Sequence, residues 1–140
     1  MNVVDIPFNK FIGIKESSRG DYLLELNYLP EYKNHLNAIH ASAQFALAEA
    51  TSGKYLLEKF KEYRDKMLAV VRRVEIKYSK ACESRIFSTA IIKNIDEIIM
   101  WLKTKNRIFI NINVELFDEN KNSISQSVFE WYIQKIKDKI

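Results

Sequence analysis

Two hydrophobic periods divide the chain. From Met67 onward the period is two: Val74, Ile76 and Tyr78 alternate with Arg73, Glu75 and Lys77. Ile86, Ser88 and Ala90 interleave with Phe87, Thr89 and Ile91. Ile108, Ile110, Ile112, Val114 and Leu116 carry the alternation over a longer stretch. Successive side chains of a strand point to opposite faces, so each run predicts a strand with one face on a core. Asp118 to Asn122 reads as a turn and Ser123 to Ile133 as the returning strand. Near the start, Leu24, Leu26 and Tyr28 alternate with Glu25 and Asn27, which predicts a strand over Tyr22 to Tyr28. A second, over Phe11 to Lys15, flanks the hairpin-like turn Ser17-Ser18-Arg19-Gly20. Pro30 closes that region.

The other period is helical. Ile39 to Ser52 predicts a helix with Gly53 just past its end, where a left-handed cap is favoured. Ala41, Ala43, Phe45, Ala46, Leu47, Ala48 and Ala50 spread nearly all the way round it. A helix apolar on every side is a buried one, and alanines let a sheet approach closely. Gln44 and Glu49 are its polar exceptions. Leu56, Phe60 and Tyr63 predict a second, amphipathic helix. Asn94 reads as the N-cap of a third, with Asp96 and Glu97 in its first turn and Ile95, Ile98, Ile99 and Leu102 as its apolar stripe. The patterns give an α+β fold: a largely antiparallel sheet with one long, buried, Ala-rich helix inserted early.

Composition narrows the class. A chain of 140 residues is one domain, 1–140, large enough for one real core. The net charge of +4 comes from interspersed residues, and no basic stripe or stacking platform points to nucleic acid. Phe129, Trp131 and Tyr132 read as sheet packing. The single cysteine, Cys82, excludes an internal disulfide and suits a reducing compartment; it has no partner at triad spacing. With His35 and His40 the only histidines, no metal-ligand spacing exists and no cofactor is implied. The longest run of large apolar residues, Ile98 to Leu102, is too short to span a membrane, and the first ten residues lack a signal-like core. The expected address is the cytoplasm.

The candidate chemistry sits at the start of the Ala-rich helix. Asn34 lies six residues before His40, and Glu49 lies nine after it. Together with the strand Val74 to Tyr78, the Lys80-Ala81 turn and a long strand ending at Asp118, this segment resembles the hotdog-fold acyl-CoA thioesterases, in their phenylacetate-pathway-like or uncharacterised thioesterase-like branch. In that family an antiparallel sheet wraps a central helix. The resemblance runs from about Leu24 to Ile133. It implies hydrolysis of an acyl-CoA or other acyl thioester, with Asn34, His40 and Glu49 as catalytic residues. Ala41 and Ser42 would bind substrate, and Lys80 stands where CoA phosphates could be met. Two departures stand out. Asn37 replaces a common Gly, which is tolerable because Asn enters the left-handed region readily. Ala41 and Ser42 replace a Gly pair, and their Cβ atoms crowd the approach of a thioester.

The chemistry can be argued from the residues. Attack on a thioester builds negative charge on the carbonyl oxygen, and amides at a helix N-terminus, here those of Ala41 and Ser42, are preorganised donors for it. A buried Glu49 is held above the usual carboxylate range and can act as general base or nucleophile. Taken singly, His40 reads as a helix-end residue, Glu49 as a paired carboxylate, Asn34 as a turn residue and Lys80 as a solvated lysine. Nine residues at ~100° each place Glu49 about half a turn from His40 and ~13.5 Å along the helix. They cannot converge within one helix. Across a two-fold axis they can, so the active reading requires a homodimer, which pairing of dimers would double to a homotetramer. The rival readings are a non-catalytic hotdog protein that binds acyl thioesters or serves as an assembly module, and a hotdog hydratase or dehydratase.

Overall fold

The alternating runs become one antiparallel sheet in the computed structural model, which describes residues 1–136. Its strands are β1 (Lys15–Glu16), β2 (Leu24–Leu26), β3 (Met67–Tyr78), β4 (Ile86–Ile91), β5 (Arg107–Phe117) and β6 (Ser123–Lys135), hydrogen-bonded in the order β1-β2-β4-β5-β6-β3. In the β5–β6 hairpin Ile110 lies opposite Trp131, Ile112 opposite Phe129 and Val114 opposite Ser127, all facing inward. The Asp118 carboxylate builds the connecting turn by accepting from the Asn120 and Asn122 amides, each at 2.9 Å. The last four residues of the expected 1–140 domain lie outside the described residues.

Helix α2 (Ala41–Lys59) lies against the inner face, with Ala43, Ala46, Leu47, Ala48, Ala50 and Leu56 buried. Polar bonds fix its rotation. Thr51 donates to the Leu47 carbonyl and reaches the Ser88 hydroxyl at 2.6 Å, and Ser88 in turn meets the Leu24 backbone. Trp131 donates its indole N–H to the Ser52 hydroxyl at 3.0 Å. Helix α3 (Ile95–Thr104) buries Ile98 and Leu102 and joins β4 to β5. Asn94 occupies its N-cap position, but its side-chain amide reaches the Glu97 carboxylate rather than a backbone N–H.

Three expectations need correction. The strand expected over Phe11 to Lys15 is a helix, α1 (Pro7–Ile12), followed by Gly13 at φ 90° and a two-residue β1. Pro7 presets the first turn and Gly13 supplies the left-handed stop, which overrides the local alternation. The strand expected over Tyr22 to Tyr28 shrinks to Leu24–Leu26. Nor does the central helix stop at Gly53: α2 runs on to Lys59 and absorbs Leu56, while Phe60 caps it and Tyr63 lies in a 3₁₀ turn. The expected second helix is the continuation of the first.

Candidate active site

The loop before α2 is fixed by backbone bonds that Asn34 organises. Its side-chain oxygen accepts from the Leu36 and Ala38 amides at 2.8 and 3.1 Å, and its own N–H donates to the Ala38 carbonyl. Asn37 sits at φ 62°, the left-handed conformation that Asn tolerates. The Ile39 N–H donates to the Cys82 carbonyl and the His40 N–H to the Tyr32 carbonyl, which pins the start of the helix to its neighbours.

His40 is the N-cap of α2, and its Nδ1 accepts from the Ser42 amide at 2.9 Å. A neutral imidazole that accepts at Nδ1 carries its proton on Nε2 and presents a donor there. The Ser42 amide is thereby engaged. The Ala41 amide has no acceptor among the described residues. Tyr78 donates its hydroxyl to the Ala41 carbonyl at 3.2 Å, which ties the first turn of α2 to the end of β3. Asn34, Ala41, Gln44, Tyr78 and Lys80 line one cleft of about 260 Å³. The Lys80 ammonium is half-exposed and 3.9 Å from the Asp118 carboxylate. His35 is an exposed loop residue, and Cys82 is buried with its thiol against Ser84.

Glu49 lies elsewhere. It faces a cavity of about 300 Å³ with Leu56, Arg64, Leu68, Ala69 and Trp131. Among the described residues its carboxyl has no hydrogen-bond or ion-pair partner, and burial alone pushes its pKa up. The structure thus brings Asn34, Ala41 and Lys80 together beside His40, and keeps Glu49 apart, as the helix arithmetic requires. Sequence reasoning passed over Tyr78 and Arg64. Tyr78 ends an alternating strand, which is a usable signal; Arg64 stands in a charged stretch and carries none.

Both places lie along one edge. Among the described residues β3 pairs with β6 on one side only, and its other side ends the sheet. The Glu49 cavity opens at Met67, Leu68 and Ala69, at one end of β3, while the cleft at the helix N-terminus opens at Tyr78, at the other. The inward row between them, Ala69, Val71, Val74 and Ile76, is only half-buried.

A family model described as a domain of unknown function, DUF4442, matches residues 11–133. The chain belongs to the DUF4442 family. No curated protein matches its sequence. Among solved structures it is similar to a Pseudomonas aeruginosa protein of unknown function described as a probable thioesterase, at 18% identity and TM-score 0.79, covering 96% of this chain and 91% of that one. It is also similar to a Bacillus halodurans protein solved with CoA, at 16% identity and TM-score 0.67, covering 94% and 85%. The E. coli PaaI protein of the phenylacetic acid degradation operon matches at 13% identity and TM-score 0.67, covering 97% and 88%. This DUF4442 chain has the hotdog fold that these thioesterase-type structures share. No helix of the described residues is long and apolar enough to cross a membrane.

Proposed function

We propose that this DUF4442 protein hydrolyses an acyl-CoA or related acyl thioester in sites built across a two-fold axis. The observation that carries the reading is the placement of the Glu49 cavity and the helix N-terminus at opposite ends of the same free strand edge. Antiparallel pairing of β3 with β3 of a second copy sets Leu68 of one chain near Tyr78 of the other, with the axis near residue 73. It brings Glu49 of the partner subunit toward Ala41 and His40. It also gives partners to the unpaired edge of a long strand and covers its half-buried row.

In such a site the thioester carbonyl oxygen takes the Ala41 N–H and the His40 Nε2–H as donors. Their alignment with the start of α2 stabilises the charge that develops on that oxygen. The partner's Glu49 removes a proton from water as the oxygen–carbon bond forms, and returns it to the sulfur as the carbon–sulfur bond breaks. Direct attack by the carboxylate, through an anhydride that water then opens, uses the same placement. Asn34 shapes the loop and Lys80 lies where CoA phosphates would pass. The fold of the CoA-bound and thioesterase-named neighbours supports this reading.

The test is thiol release from a panel of short, long and aromatic acyl-CoAs. Glu49→Ala should lower kcat/KM by ~10²- to 10⁴-fold, the usual weight of a general acid or base. Undiminished turnover in that variant would remove Glu49 from the mechanism. One observation favours a second reading, a protein that binds acyl thioesters without cleaving them: the Ser42 amide is already taken by His40, which leaves one free backbone donor. Acyl-CoA binding in calorimetry with no thiol release would establish it.

A further inference from the structure

Beside Asn9, whose side-chain amide donates to the Val3 carbonyl at 3.0 Å, Arg64 is the polar group in the Glu49 cavity that the proposed chemistry does not use. It follows the 3₁₀ turn Lys61–Tyr63, and one terminal N–H₂ donates to the Leu57 carbonyl at 3.4 Å. Its Nε is buried and has no hydrogen-bond partner among the described residues. Among the described residues no carboxylate lies within ion-pair distance of it, whereas neighbouring Lys54 is paired with Glu16 at 3.0 Å and Glu58 at 2.7 Å. A guanidinium has donors only, and a buried donor without an acceptor is costly.

Its position says what could supply the acceptor. The cavity that holds Glu49 adjoins a polar surface pocket of about 320 Å³ lined by Asn2, Lys54 and Glu58. The two share Met1, Val3, Leu57 and Arg64, but Glu49 lines only the inner one. Arg64 therefore stands at the boundary between the two, whereas Glu49 does not. Apart from Asn9, the rest of the cavity that Glu49 and Arg64 share has apolar walls, formed by residues such as Leu56, Met67 and Trp131. A methylene or aryl stem fits those walls, and a hydrogen-bond acceptor at its far end meets Arg64.

We propose that the acyl groups accepted here carry an oxygen acceptor, best a carboxylate, at the end remote from the thioester, and that the Arg64 Nε–H reads it. A carboxylate is favoured over a neutral oxygen because bonds between ionised partners are the stronger ones. This inference rests on the thioesterase reading, since it is the acyl arm of that site that Arg64 would select.

The experiment compares matched linear acyl-CoAs, each plain chain against the same chain ending in a carboxylate or a hydroxyl. The expected result is a kcat/KM about tenfold or more higher for the carboxylate-ended member, carried mainly in KM, with the hydroxyl between. In Arg64→Met, whose stem still fills the wall, the ratio should fall toward one. Arg64→Lys, which keeps the charge without the Nε–H, should retain part of it, and melting curves check that both variants fold. Equal kcat/KM values in the wild type, or a preference that survives in Arg64→Met, would overturn the inference. Absence of thiol release from every acyl-CoA would instead overturn the thioesterase reading. The same pairs, made as non-hydrolysable thioethers, would then be titrated in calorimetry. Tighter binding of the carboxylate member to wild type than to Arg64→Met upholds the inference, and equal binding overturns it.

Discussion

Glu49 is destabilising where it stands, because burial disfavours its charged form and no neighbour among the described residues compensates. With the folded pKa above the unfolded one, the group's favourable contribution is complete below the ordinary glutamate value. It is lost as pH rises through the raised value. Glu49→Gln should therefore raise Tm near neutral pH by roughly 2–5 °C, from about 1 kcal/mol, and the gain should vanish in acid. Thermal scans of both proteins across pH check this; a lower Tm at neutral pH would mean the carboxylate has a partner. As a base or nucleophile the group works deprotonated, so the acid limb of kcat/KM against pH should fall above the usual carboxylate range. Thr51 carries the opposite expectation. Thr51→Val removes the hydroxyl that meets Leu47 and Ser88 and leaves their partners short, which should cost about 1–3 kcal/mol in a denaturant melt.

At the scale of elements, two glycines separate the two ways in which a helix can meet one. Gly13 holds φ 90° at the end of α1, and a Cβ there would stand 2.7 Å from the Tyr32 hydroxyl. Gly13→Ala should lower stability by about 1–2 kcal/mol or more. Gly53 is inside α2, where a Cβ would meet the Trp131 ring at an ordinary 3.6 Å. Gly53→Ala should raise stability by about 0.5–1 kcal/mol, read in the same denaturant melts. The long strands and the buried helix are legible in the sequence because period two and an all-round apolar face are set by burial itself. The end of the helix is not legible, because Gly53 reads locally as a stop and the packing of Trp131 that overrides it lies 78 positions away. The first strand fails for the reverse reason. Pro7 and Gly13 are local signals, and they win over a short apolar alternation.

For the whole molecule, the members of the proposed site and the second copy it calls for are both suggested by the sequence, since Asn34, His40 and Glu49 are spaced along one helix and its entry loop. It does not carry the seam. That β3 is the free edge, and that the Glu49 cavity and the helix N-terminus open at its two ends, depends on strand order, which no local pattern records. Proline within that edge, Val74→Pro, where the N–H faces away from β6, should give a monomer in sedimentation with turnover largely lost. The most direct measurement is complementation. Ala41→Pro removes the free amide at the first helical position, where proline is accommodated, and His40 at φ −60°, ψ 141° suits the residue before it. Glu49→Gln removes the carboxylate. Each variant alone should be nearly inactive. Unfolded together in equal amounts and refolded, they should recover about a quarter of wild-type thiol release, because half the dimers are mixed and each mixed dimer holds one intact site. No recovery from variants shown to have exchanged subunits would contradict a site shared between two chains.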